Sequence, residues 1–87
     1  MKEPEPNALA FLQANAREIR EHFDHEISER LPTHSMWYEV YALKTASMVE
    51  WRHCIRDAFK RYRKDAVKAA VHDIVAHDAN YYRWTHA

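Results

Sequence analysis

Apolar residues recur along this chain at steps of three and four, and the first run of them sets the pattern. Leu9, Leu12, Ala16, Ile19, Phe23 and Ile27 fall on one side of a helix with about 3.6 residues per turn. Arg17, Glu18, Arg20, Glu21, Asp24, Glu26 and Glu29 fill the other side. Asn7 stands where a capping side chain would accept from the free N–H groups of a first turn. A first helix is therefore expected over about 8–30, behind a short polar, Pro-containing lead at 1–6.

Leu31-Pro32-Thr33-His34-Ser35 interrupts the pattern. Pro32 disfavours helical geometry in the residue before it, and Thr33 or Ser35 can cap a new helix. That second helix is expected over about 35–63. Its apolar positions are Trp37, Val40, Tyr41, Met48, Trp51, Ile55, Phe59 and Tyr62. Asp65 can cap a third helix over about 66–83, whose aliphatic stripe is Val67, Ala70, Val71, Ile74 and Val75. No breaker separates the second helix from the third. The competing reading is a helical hairpin with one arm of roughly 70 Å, at about 1.5 Å per residue, completed by dimerisation. Globular helices seldom run that far, which favours a break near residue 64 and a three-helix bundle. In either case residues 7–87 read as a single helical domain.

Composition supports the all-α class. The chain has no glycine, the default residue of hairpin turns and left-handed helix ends, and only three prolines. Absence of glycine also excludes a Gly-rich phosphate loop. Eighty-seven residues bury a limited core, so a second copy or a partner would add stability. One cysteine, Cys54, forms no internal disulfide and suits a reducing, cytoplasmic setting. The opening Met1-Lys2-Glu3-Pro4-Glu5-Pro6 lacks the apolar core of a signal peptide, and no apolar run reaches the length of a membrane helix.

Thirteen bases balance thirteen acids overall, but the charge is unevenly spread. Residues 52–68 hold seven bases against Asp57 and Asp65, a local charge of plus five. Arg52, Arg56, Lys60 and Lys64 recur every fourth residue and form a ridge, with Trp51, Phe59 and Tyr62 interleaved. A basic ridge among aromatics is the footprint of a nucleic-acid binder. It also fits pairing with the acids of the first helix within the chain or between copies, a solvated face, or an acidic protein partner.

Three further features bear on function. His22 and His25, with His72 and His77, are weak candidates for a metal site shared by the first and third helices. Without a recognisable ligand motif, neither metal nor cofactor is expected. His53 and Cys54 are adjacent, and adjacent helical residues point in different directions, so they form no nucleophile–base pair. Catalysis is not expected. The aromatic surplus is the most informative feature. Trp37, Tyr38 and Tyr41 open the second helix on more than one face, and Tyr81, Tyr82 and Trp84 close the chain. Such residues either anchor an interface or, for the last three, fold back over the bundle's open end. The expectation is a small non-enzymatic, homodimeric binding module. It would be a regulator or inhibitor of the kind phages and plasmids encode, docking on a larger protein through Trp37, Tyr38, Tyr41, Tyr81, Tyr82 and Trp84 and steered by the basic ridge. Nucleic-acid binding along residues 52–68 is the alternative, and a His/carboxylate metal-binding protein the second.

Overall fold

A computed structural model of the chain describes residues 6–30, 37–78 and 81–85. Among them only Tyr62, Arg63 and Asp78 fall outside helices, and the chain is all-α. The described residues form four helices rather than three: α1 (Pro6–Arg30), α2 (Trp37–Arg61), α3 (Lys64–His77) and α4 (Tyr81–Thr85). The expected flexible lead, apart from Pro6, lies outside the described residues. So do the Pro32 break and the caps Thr33 and Ser35. Asn7 sits inside α1 rather than capping it, behind Pro6, whose fixed φ suits a first helical turn.

The stripe read from the first helix is the one that builds the core. Leu12, Ala16, Ile19 and Phe23 are buried, and Leu9 and Ile27 pack at the margins. Against them α2 places Trp51 and Ala58, and α3 places Val67, Ala70 and Ile74. The long-arm alternative is excluded, because the chain reverses at Tyr62 and Arg63. Arg63 is extended, with φ −67° and ψ 145°, and takes the N-cap position of α3. Asp65 therefore lies within the first turn and not at the cap. Its carboxylate accepts from the Ala66 N–H at 2.9 Å and pairs with Arg63 at 3.2 Å. Phe11 meets Tyr62 while Arg20 meets Asp78, so α3 runs back alongside α1 and antiparallel to α2.

The third helix, expected to continue to residue 83, is corrected. It ends at His77, and Asp78 leaves helical geometry with φ −94° and ψ 104°. Its N–H still donates to the Ile74 carbonyl at 2.9 Å, and the Tyr81 N–H donates to the Asp78 carbonyl at 3.1 Å. The break has a packing cause. A helix of 14 residues cannot line a groove formed by two helices of 25. Breaking at Asp78 lets α4 fill the part that α3 does not reach. Trp84 becomes fully buried, 0 % exposed, with its ring edge-on to Trp51 at 5.7 Å and 5.4 Å from Tyr81. Trp51 Nε1 donates to the Tyr81 hydroxyl at 3.2 Å, and the Thr85 hydroxyl donates to the Tyr81 carbonyl at 2.6 Å. Two ion pairs flank this end, Arg20–Asp78 and Arg83–Asp24, each at 3.3 Å.

Trp84 Nε1 is buried without an acceptor among the described residues, a cost of about 1–3 kcal/mol that the burial of the ring outweighs. Two small inward residues, Ser47 and Ala58, are also buried and let α2 approach its neighbours closely.

Trp84→Ala is expected to lower the unfolding free energy by about 3–5 kcal/mol in urea titrations followed by circular dichroism. Trp84→Phe should lose less, since it keeps a ring and removes the unsatisfied N–H. Val75→Ala, at an exposed position of α3, should stay within about 0.5 kcal/mol of the parent. Equal effects at positions 84 and 75 would mean that α4 is not docked.

Candidate interaction surface

Because α2 turns one side to the core, its opposite side is defined by residue spacing alone. Tyr38, Ala42, Thr45, Val49, Arg52, Arg56 and Phe59 step by four and three alternately and are all exposed. Tyr41, His53 and Lys60 flank them, likewise exposed. Tyr38 and Tyr41 remain 53 % and 51 % exposed, and Val49 46 %. The first half of this stripe is aromatic and small, and the second half is cationic. It spans about 32 Å at about 1.5 Å per residue.

The sequence-derived site residues divide between this stripe, the core and the remaining surface. Tyr38 lies on the stripe and Tyr41 beside it, whereas the side chain of Trp37 is outside the described residues. Tyr82 is on the surface of α4. Trp84 is corrected from a partner-facing residue to a core residue, and Tyr81, half-buried against Trp51, goes with it. Phe59, expected in the apolar core stripe of α2, is exposed instead, because Ala58 takes the inward position beside it. Val75, expected in the stripe of α3, is exposed as well. Val49, Thr45 and Ala42 belong to the surface without standing out in the sequence. Their signal is a second stripe at heptad-like spacing on the face opposite Trp51, only weakly apolar.

The ridge of four bases is also corrected. Arg52, Arg56 and Lys60 share α2, but Lys64 is the first residue of α3, beyond the reversal at Arg63. Lys64 instead borders a shallow groove with Arg63, Asp65 and Lys68. Among the described residues Arg52, Arg56 and Lys60 make no ion pair. Arg20–Asp78 and Arg83–Asp24 pair across helices among the described residues, and they involve different bases. The described acids of α1 therefore do not neutralise the ridge within one chain. Glu18 lies with His22 and Glu50 on another side, lining a groove between α1 and α2. Arg61, the next base along, covers the Phe11 ring at 4.9 Å and belongs to the packing of α1 on α2.

The four candidate histidines are not brought together. His22 borders the α1–α2 groove, and His25 faces Glu29 of its own helix at 3.6 Å. His77 meets Asp73 one turn away at 3.2 Å, and His72 is exposed on α3. Among the described residues no three His, Cys, Asp or Glu side chains converge as a metal-binding group. A cleft of about 350 Å³ separates α1 from α3 beside Arg17, Arg20 and His77, but Arg20 is held by Asp78 and His77 by Asp73. Cys54 is half-buried, and burial, reinforced by the negative charges of Glu50, Asp57 and Glu18, raises its thiol pKa above the ordinary 9.0. That holds the thiol protonated near neutrality. Among the described residues no helix is long and apolar enough to cross a membrane.

No protein-family model, curated protein or solved structure matches the chain. Its functional reading therefore rests on the α2 stripe.

Arg56→Ala and Lys60→Ala should each change the unfolding free energy by less than about 0.5 kcal/mol, since neither base holds an ion pair among the described residues. A larger loss would reveal pairing with α1. At Cys54 the folded thiol titrates above the unfolded one, so its contribution to stability is complete below pH 9.0 and is lost as pH rises from there through the folded value. Ultraviolet thiolate absorbance should develop at higher pH in native than in urea-unfolded protein, and Cys54→Ser should flatten this part of the stability profile.

Proposed function

We propose that this chain is a non-enzymatic helical interaction module that works by protein–protein docking through the outer face of α2. The observation that carries the reading is the composition of that face. Four large exposed side chains, Tyr38, Tyr41, Val49 and Phe59, lie on or beside one stripe with three bases, Arg52, Arg56 and Lys60, that hold no ion pair among the described residues. Tyr is favoured at the centre of interfaces because it buries much area with little loss of side-chain freedom. Bases beside it steer an approaching surface and fix its orientation. The fitting partner is a protein presenting an apolar strip bordered by acidic or aromatic groups. A regulator or inhibitor of a larger protein, acting in the cytoplasm, is the class of activity that suits so small a module.

Nucleic-acid binding is the second reading. It is favoured by Lys64 and Lys68, which extend the basic surface past the reversal at Arg63. Against it, the bases are intermixed with apolar residues and number few per helix face, so the phosphate contacts available are limited. A metal-dependent role is supported least, since His22, His25, His72 and His77 are held apart.

A photo-crosslinking residue at Thr45, on the stripe, compared with one at Ala69, exposed on α3, tests the reading in cells. Protein adducts are expected from position 45 only, resistant to nuclease and reduced at least about fivefold by Tyr41→Glu, in line with the loss of a buried aromatic anchor. Nuclease-sensitive adducts would transfer the proposal to nucleic acid. Equal yields from both positions would remove it.

A further inference from the structure

The seven exposed positions on α2 step 4-3-4-3-4-3 from Tyr38 to Phe59. That is the spacing at which two helices mesh along a shared seam. Exposed helix faces ordinarily carry charged residues at such positions, whereas here Tyr38, Ala42, Thr45 and Val49 come in succession before the first charge. With Ala46 beside them, the small residues let a second backbone approach closely.

The stripe is also self-complementary about its middle. Val49 lies eleven residues from Tyr38 and eleven from Lys60, and seven residues from both Ala42 and Arg56. Lay a second copy of α2 antiparallel on the first, with Val49 near the twofold axis, and unlike groups meet along its length. Tyr38 of one copy faces Lys60 of the other, where a cation over an aromatic ring is attractive, and Tyr41 comes opposite Asp57, with Arg56 beside it. Glu39 comes beside Lys60 of the other copy. Thr45 and Ala46 come opposite His53 and Arg52, small groups against long ones, and Val49 meets its own counterpart. The parallel alternative stacks Arg52 on Arg52 and Arg56 on Arg56, and like charges at that distance oppose association.

We infer that the protein occupying the outer face of α2 is a second copy of this chain, in an antiparallel, twofold-symmetric helix pair centred on Val49. This rests on the docking reading above and names its partner. A twofold contact uses the same patch on both copies and closes after two, so it does not propagate. One helix face per copy is a small interface, and the pair is a concentration-dependent equilibrium rather than an obligate dimer. The larger partner of a regulator would then meet the paired form.

Sedimentation equilibrium of the full chain from about 1 µM to about 1 mM should show a monomer–dimer equilibrium and no larger species. Val49→Glu should weaken it at least about tenfold while leaving the helical circular dichroism unchanged, because position 49 is outside the core. Orientation is read by oxidation in a Cys54→Ser background. Val49→Cys should form a disulfide-linked dimer. Tyr38→Cys alone should not, since its two copies lie about 33 Å apart along the axis. Tyr38→Cys mixed with Lys60→Cys should. Self-crosslinking of Tyr38→Cys would establish a parallel pair and overturn the inference. Species growing beyond two would overturn it in favour of a head-to-tail contact between the bases of one copy and the acids of another's α1. A monomer at every concentration would also overturn it. In that case protein adducts of other mass at Thr45 would leave the docking reading standing, and their absence would end both.

Discussion

A third helix of 14 residues cannot close the groove between two helices of 25, and this mismatch governs the rest of the molecule. The chain meets it by ending α3 at His77 and turning a last short helix inward. Trp84 supplies in one residue the apolar area that another turn of α3 would otherwise have to present. Its ring is edge-on to Trp51 and close to Tyr81, so the three aromatics form one cluster where α1, α2 and α4 meet. A five-residue helix has little stability of its own. It persists because Trp84 and Thr85 are buried and Tyr81 packs against the core, with the Arg20–Asp78 and Arg83–Asp24 pairs holding either side of it.

Once α1, α3 and α4 surround one side of α2, the character of the other side is set. Trp51, Ser47 and Ala58 point inward, and the small residues allow tight approach. The residues half a turn away are left at the surface. Tyr38, Tyr41 and Val49 thus stay exposed beside Arg52, Arg56 and Lys60. Acids that could have neutralised these bases are directed elsewhere: Asp24 toward Arg83 and Glu18 toward the groove near His22 and Glu50. The same packing that stabilises the core turns a stripe of mixed apolar and basic character outward.

Much of this is legible along the chain, and for a plain reason. Helical periodicity is local, so the core stripe Leu12, Ala16, Ile19 and Phe23 can be read without knowing what covers it. The reversal near residue 64 is anticipated by helix length, although no breaker marks it and the cap falls at Arg63 rather than Asp65. The tail is harder. Tyr81, Tyr82 and Trp84 read equally well as anchors for a partner and as a fold-back, because composition gives burial but not the identity of what does the burying. Lys64 fails for a related reason. Spacing by four makes a ridge only while the helix is continuous.

The sequence by itself determined the helical class, the inward face of α1, and the separation of acidic from basic segments, since each depends on residues within a few turns of one another. The tertiary structure alone decided that Trp84 is core and Tyr82 surface, that Phe59 is outside and Ala58 inside, and that the bases of α2 hold none of the described acids of α1. Those outcomes depend on the relative lengths and rotations of whole helices. They are set where distant segments compete for the same buried space, and no local pattern records the result of that competition.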